Sequence, residues 1–354
     1  MKELRVDEAS LKNTDYEYML FVGQDSVVEL KEVMTYLDEL GVTFFGGIYP
    51  KLITNNQIVS KGYIVKPVKP IYSEMVYPFI MKKIPELDAS KQYTGFLTGD
   101  GFSQQNGDLI VTIQSKVKGN INYVGGGSAI YFNELGIHKI EQDKVIFNNK
   151  GFFKDAMHLC IVEQSSETNI NLGWSIIDGP FEITKAENNL IKKMNDENAF
   201  EFYKGILESN ENKSIFNKED SLFYASMYAF GIVENGIVKN VRMPIEITQE
   251  GYIRVVNEVN ESMPIYLLKA NKTNMLESYK KNFNSHNKLD SVFMVSCLTR
   301  DIYLDMDFEN EVSFVSQALK MPVEGIITVG EFCNSADSNQ LAIYEGASII
   351  SVFE

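Results

Sequence analysis

Three side chains able to bind or attack a small molecule follow two apolar segments in the last quarter of the sequence. Cys297 and Arg300 come after the apolar run 292–295, and Glu331 comes after the run 325–329. An arginine can hold a carboxylate or phosphate through two parallel hydrogen bonds, and a glutamate can accept hydrogen bonds from an amino or hydroxyl group. An amino acid presents both kinds of group, so Arg300 and Glu331 together would suit such a ligand. A buried structural ion pair is the alternative that the sequence leaves open.

Further candidates occur in the middle of the chain. Asp100 stands in the loop TGDG, and Gly126 and Gly127 belong to a run of three glycines. Neither GxGxxG nor GxxxxGK[ST] spacing is present, so the glycines fit tight turns and close strand packing better than phosphate binding. We predict one ligand-binding site with the following residues: Arg300, Glu331, Cys297, Asp100, Gly126 and Gly127.

Catalysis and metal binding receive less support from the sequence. Ser128, Ser296 and Cys297 could serve as nucleophiles, but such catalysis needs a base within hydrogen-bonding reach. The sequence has three scattered histidines: His138, His158 and His286. No CxxC, HxH or HExxH spacing occurs, so we expect no metal site and no catalytic residue.

The elements that must position these residues form a repeated pattern. A strand, a polar loop holding Cys297 and Arg300, a helix with its apolar face at 312–319 and a second strand predict a β-α-β unit. The same order begins at residues 18 and 93, so the chain holds three such units, each followed by a glycine-containing turn and a returning strand. Ligands gather where strands end in units of this kind. We predict an α/β fold in which two domains stack as an α-β-β-α sandwich.

Between the second and third units the pattern changes. Residues 181–184 and 190–194 predict short strands, and Asp196 caps a helix with apolar residues from 199 to 207. A polar run over 209–220 is the best domain boundary. We therefore divide the chain into a loosely ordered N-terminus (1–15) and two domains (16–212 and 213–354).

Composition excludes several classes of partner. The 354 residues carry a formal net charge of −15, which disfavours binding of nucleic acid or anionic membrane. No apolar run reaches the ~18–20 residues that span a bilayer, and the charged N-terminus lacks the apolar core of a signal peptide. Three cysteines, far apart, suit reduced thiols: Cys160, Cys297 and Cys333. We expect a cytoplasmic protein.

Several segments together resemble the FIST proteins, with N-terminal and C-terminal FIST domains in tandem. The matching segments are FFGGIYP (44–50), SKGYIV (60–65), TGDG (98–101), YVGGGSA (123–129), GPFEITKAENNLIKKMNDENAFEFY (179–203), VSCLTR (295–300) and VEGIITVGEF (323–332). The most specific are VSCLTR and VEGIITVGEF. The chain departs from the family pattern at FGGIYP, where many relatives have a polar turn.

The resemblance implies an intracellular sensory domain that binds small ligands, amino acids being the usual suggestion. In bacteria such domains are linked to chemoreceptor, histidine-kinase or cyclic-dinucleotide outputs, in animals one accompanies an F-box, and some bacterial relatives bind haem. No output domain is recognisable here, so signalling would act in trans. We expect a ligand-binding sensor that is not an enzyme and does not bind haem, since only His158 has apolar neighbours on both sides. The alternatives are an enzyme acting on a small carboxylate-bearing substrate, and a protein-interaction adaptor with a vestigial pocket.

Overall fold

The computed structural model describes residues 15–134, 137–141, 144–211, 221–277, 289–335 and 338–354. Within these residues the helices are α1 (Val27–Glu39), α2 (Asn106–Lys116), α3 (Ala199–Glu211), α4 (Ser221–Met227), α5 (Lys272–Glu277), α6 (Leu298–Leu304) and α7 (Phe308–Leu319), with 3-10 turns at Gln24–Ser26 and Asp305–Asp307. None of these helices combines the length and apolarity needed to cross a membrane.

The described strands of the N-terminal half are accompanied by helices α1 and α2. They are β1 (Glu17–Gly23), β2 (Phe44–Tyr49), β3 (Leu52–Thr54), β4 (Gln57–Val59), β5 (Tyr63–Val68), β6 (Pro70–Val76), β7 (Tyr93–Asp100), β8 (Ile121–Ser128), β9 (Ile130–Glu134), β10 (Ile137–Glu141), β11 (Ile146–Asn148), β12 (Gly151–Phe153), β13 (Met157–Val162) and β14 (Ser166–Asn171).

The strands of the C-terminal half begin with one long strand. They are β15 (Trp174–Glu187), β16 (Leu190–Met194), β17 (Glu197–Asn198), β18 (Tyr228–Glu234), β19 (Ile237–Arg242), β20 (Pro244–Ile247), β21 (Ile253–Val255), β22 (Pro264–Ala270), β23 (Ser291–Cys297), β24 (Val323–Thr328), β25 (Glu331–Asn334), β26 (Leu341–Tyr344) and β27 (Ser348–Phe353).

The three predicted β-α-β units are confirmed, and each lies in its own sheet. Strand β1 pairs in parallel with β2, β7 with β8, and β23 with β24. The three sheets have the strand orders β12-β11-β2-β1-β5, β26-β25-β8-β7-β13-β6 and β14-β27-β23-β24-β3-β4. The α/β class follows from this arrangement, because a helix connects the two strands of every parallel pair.

One core joins the three sheets. Phe21 of β1, Val124 of β8 and Val295 of β23 belong to a single buried cluster, so each sheet turns one face toward it. The opposite face of each sheet packs against its own helix: α1, α2 or α7. This follows from alternation along the strands, because successive side chains point to opposite faces. Each unit therefore places its sheet between its own helix and the shared core.

A fourth sheet comes from the segment between the second and third units. Its order is β19-β18-β22-β15-β16-β21-β20, with β17 paired to β16, and α3 packs against it through Phe200, Tyr203 and Leu207. The strands predicted at 181–184 and 190–194 correspond to β15 and β16. The polar run beyond residue 211 lies outside the described residues.

The two halves of the sequence share their sheets. Strand β25 pairs with β8, β3 pairs with β24, and β14 pairs with β27. Two of the three sheets around the core are thus built from both halves of the chain.

Local predictions were wrong at three places. Asp196 does not cap helix α3, because the side-chain oxygen of Asn198 accepts the Phe200 N–H at 3.2 Å instead. Arg300 lies in helix α6 and not in a loop, because the chain becomes helical directly after Cys297. The glycine runs of the first two units continue strands β2 and β8 and do not form turns. In β8, a Cβ atom on Gly125 would stand 1.9 Å from the Leu97 carbonyl oxygen, so glycine is required by close strand packing.

Candidate functional site

The carboxyl ends of β7, β8 and β24 meet at one edge of the core. The Gly127 N–H donates to the Gly330 carbonyl at 2.8 Å, and the Val329 N–H donates to the Gly127 carbonyl at 3.0 Å. The Gly101 N–H donates to the Ser128 carbonyl at 3.0 Å. The first two hydrogen bonds connect the second unit to the third, and the last one connects β7 to β8 within the second unit. The loops after these strands therefore form one continuous wall.

Glycine is necessary in this wall because the backbones nearly touch. A Cβ atom on Gly127 would lie 2.0 Å from the Val329 carbonyl oxygen and 2.4 Å from Gly101 Cα. On Gly126 it would lie 2.4 Å from the Thr328 side chain. Both glycines therefore frame the site through the close approach that they allow.

Glu331 is fully buried directly behind this wall. It pairs across the strands with Gly126, the Thr328 hydroxyl donates to its Oε1 at 3.0 Å, and the Ala347 N–H donates to its Oε2 at 3.2 Å. Burial raises the pKa of the Glu331 carboxyl well above 4.5, and the hydrogen bonds only oppose this effect. Burial therefore shifts this carboxyl toward its neutral form.

Cys297 ends strand β23 beside the same carboxyl. Its thiol lies within hydrogen-bonding reach of Glu331, and the Thr299 hydroxyl donates to its sulfur at 3.1 Å. Burial, reinforced by the charge of Glu331, raises the pKa of the Cys297 thiol. A thiol with a raised pKa is a poor nucleophile, so this environment does not activate Cys297 for covalent chemistry.

A second buried carboxyl, Glu345, was not identified from the sequence. Its Oε2 accepts the Met243 N–H at 2.6 Å, and its Oε1 accepts the side-chain amide of Asn257 at 2.6 Å. Burial raises the pKa of Glu345, whereas Arg242, whose NH1 lies 3.8 Å from Oε1, favours the charged form. A signal was present, because Glu345 is the only charged residue of the apolar segment 341–353.

A small cavity lies beside Cys297 and Glu345. Cys297, Thr299, Gly330 and Glu345 line it together with apolar side chains of Leu222, Met243, Ile245, Val256, Leu298 and Val329. Its free volume is about 10 Å³, which is roughly the space that one water molecule needs. Entry of any larger molecule requires the apolar wall to move outward.

Arg300 points to a different place. Its NH2 donates to Glu311 of α7 at 2.5 Å and its NH1 donates to the Leu172 carbonyl at 2.7 Å, while both charged side chains have no exposed surface. The structure therefore gives Arg300 a partner other than Glu331. The two residues do not meet in one crevice, and a ligand-binding role for Arg300 stays a prediction.

Asp100 shapes the loop between β7 and α2. One carboxylate oxygen accepts the Phe102 N–H at 3.0 Å and the other accepts the Asp155 N–H at 3.1 Å. Burial raises the pKa of Asp100, and these two backbone donors counteract the shift. The residue lies at the wall described above, next to Gly101, but its oxygens are used within the protein.

Three other candidates from the sequence, His158, Ser128 and Ser296, lie apart from any reactive arrangement of the described residues, and His286 lies outside those residues. His158 stacks on Phe45 with ring centres 4.0 Å apart, its Nε2 lies 3.0 Å from the Ser73 hydroxyl, and burial lowers its pKa to about 3. Ser128 and Ser296 are buried, and no hydrogen bond to either side-chain hydroxyl is found. Among the described residues, no group of three metal-binding side chains occurs.

The architecture is that of an α/β protein in which three β-α-β units share one buried core. Family models match the chain twice, as a FIST N domain over residues 20–197 and as a FIST C domain over residues 199–334. The chain belongs to the FIST family, whose domains are associated with sensing in signal transduction. Among curated proteins, none matches the chain.

Proposed function

We propose that this protein is a small-molecule-binding sensory module of a bacterial signal-transduction system. It would work in the cytoplasm without catalysis of its own. Its output would pass in trans to a histidine kinase, a chemoreceptor or a cyclic-dinucleotide enzyme. Membership of the FIST family supports the sensory role, and the site at the joined strand ends supports the binding of a small ligand.

The observation that carries the proposal is the placement of Glu345. This carboxyl has no exposed surface, yet it lines a cavity at the carboxyl ends of β23 and β24, the two parallel strands of the third unit. Burying an ionisable group in this way costs free energy, and buried ionisable groups with shifted pKa values are common at binding and catalytic sites. Ligands of α/β proteins also gather at this edge of the sheet.

An amino acid is the ligand class that we propose. Its ammonium group would interact with Glu345, and its carboxylate would approach Arg242, the cation beside Glu345. Arg242 takes the anchoring role here because Arg300 is hydrogen-bonded to Glu311. Cys297, Glu331, Gly126, Gly127 and Asp100 would form the frame that holds the pocket in shape.

A thermal-shift assay with the twenty amino acids tests this proposal, together with mass spectrometry of small molecules that co-purify with the protein. We expect a saturable rise in melting temperature without turnover. The Glu345→Gln variant should lose this rise relative to its own ligand-free melting temperature. Glu246→Gln is the matched control, because Glu246 is half-exposed and pairs with Arg254 at the protein surface.

Three outcomes would contradict the proposal. A rise retained in Glu345→Gln would place the ligand elsewhere. Turnover of a small carboxylate-bearing compound would indicate an enzyme. No shift with any amino acid and no co-purifying small molecule, combined with a stably bound kinase or cyclase, would favour an interaction adaptor.

A further inference from the structure

A second cavity lies among the three sheets, away from the residues at the joined strand ends. It has a free volume of about 180 Å³, and β1, β5, β7, β23 and β27 contribute side chains to it. None of its lining residues belongs to the cavity at Glu345. It is therefore a separate space.

Four phenylalanine rings make the wall of this second cavity apolar and aromatic. Phe21 and Phe293 have ring centres 5.1 Å apart, and Phe96 and Phe353 stack with centres 5.8 Å apart. Phe21, Phe293 and Phe353 are each less than a tenth exposed, so the core holds their rings in place. Aromatic rings at such distances prefer offset or edge contacts, so the ring of a bound ligand would gain favourable contacts beyond the area that it buries.

The rim of the second cavity is polar and includes one lysine that forms an ion pair. Of the residues lining the cavity in the described part of the chain, Lys66 alone is cationic. Its ammonium group pairs with Glu324, and both side chains are about one-third exposed, at 34% and 36%. An ion pair so exposed contributes little to stability, so a competing anion can take over the ammonium group at small cost. Ser291 and Gln164 add neutral polar groups beside it.

We propose that this cavity binds a small aromatic carboxylate, with the ring among the phenylalanines and the carboxylate at Lys66. The volume supports one ring, because an apolar cavity of roughly 150 Å³ is sufficient for benzene. The charge supports an anion, because an ammonium-bearing ligand would meet Lys66 as a like charge. An aromatic carboxylate has an apolar body and a single anionic end, and this cavity has one apolar wall and one cationic rim.

Phenylacetate is the probe, with phenylacetamide and phenethylamine as ligands of similar shape that are neutral or positively charged. We expect saturable binding by calorimetry and by ligand-observed NMR at low salt. Phenylacetate should bind at least about fivefold more tightly than the amide, and the amine should bind most weakly. The preference should shrink in high salt, because a partly exposed charge pair is screened.

Three variants connect the binding to this cavity. Lys66→Met should abolish the preference for the carboxylate while the amide still binds. Ser291→Phe, which places a ring at the cavity, should abolish binding of all three probes, whereas Ser291→Ala should retain it. Lys91→Met is the matched charge control, since Lys91 is an exposed lysine paired with Glu163.

Several results would overturn the proposal. They are no saturable binding of phenylacetate by the wild-type protein, an unchanged preference in Lys66→Met, or equal losses in Lys66→Met and Lys91→Met. The outcome is independent of the amino-acid site, because Glu345→Gln should leave phenylacetate binding unchanged and Ser291→Phe should leave an amino-acid thermal shift unchanged.

Discussion

The buried ion pair between Arg300 and Glu311 allows a quantitative test of how the third unit is held together. Both side chains have no exposed surface, and the pair joins α6 to α7. Replacing Arg300 by methionine keeps most of the side-chain volume but leaves a carboxylate in the core without its cation. We expect the free energy of unfolding to fall by about 3–5 kcal/mol, the usual cost of breaking a buried pair. Glu311→Met should cost a similar amount for the complementary reason.

The double variant Arg300→Met/Glu311→Met separates the charge effect from the packing effect. With both charges replaced by apolar groups, no buried charge is left uncompensated, so its stability should approach that of the wild type. The coupling free energy in the double-mutant cycle should therefore be about 3 kcal/mol or more. Glu324→Gln is the exposed control, for which we expect a loss of at most about 1 kcal/mol.

Urea unfolding followed by tryptophan fluorescence measures these differences directly. Trp174 is the only tryptophan of the sequence, it is buried in the same core cluster as the apolar face of α7, and its Nε1 donates to the Gly346 carbonyl at 3.0 Å. Its emission thus reports on the region that the pair stabilises. Single variants that lose less than about 1 kcal/mol, or a double variant as unstable as the sum of the singles, would refute the reasoning.

Two further predictions concern the joined strand ends. Gly127→Ala should lower the free energy of unfolding by about 1–3 kcal/mol or more, because its Cβ would lie 2.0 Å from a carbonyl oxygen. Gly205→Ala is the control: no atom lies near its Cβ in helix α3, so this change should be neutral or stabilising by up to about 1 kcal/mol. Equal losses of stability for the two variants in urea unfolding would contradict the steric argument. The raised pKa of Glu331 stabilises the fold at pH values below 4.5, and this contribution is lost as the pH rises through the higher pKa of the folded state. The melting temperature of the wild type should therefore fall with rising pH more steeply than that of Glu331→Gln, and parallel pH profiles would show that Glu331 does not titrate as described.

Residues with a local signal were predictable from the sequence. The three β-α-β units follow from hydrophobic periodicity, which local segments carry by themselves. Gly126, Gly127 and Glu331 do lie together, because residues at the ends of parallel strands share one edge of a sheet. The same reasoning was wrong for Arg300, because a helix begins directly after Cys297 and directs the Arg300 side chain toward α7.

Contacts between distant segments could not be predicted from local sequence patterns. Glu345 meets Met243 and Asn257 across about a hundred residues of sequence, and no periodicity encodes such a pairing. The extension of β8 through its three glycines could not be predicted either, because a run of glycines indicates a turn when the neighbouring backbone is unknown. In the structure, the backbone carbonyl groups of Leu97 and Val329 lie directly against these glycines.

The sharing of sheets between the two halves has a consequence for how the chain folds during synthesis. Strand β14 pairs with β27, so residues 166–171 can pair only after residues 348–353 have been synthesised. Strand β3 likewise waits for β24. Pairings of such high sequence separation form slowly, and strands that emerge early expose unpaired edges until then. The N-terminal half therefore cannot complete its core before the C-terminal strands have left the ribosome.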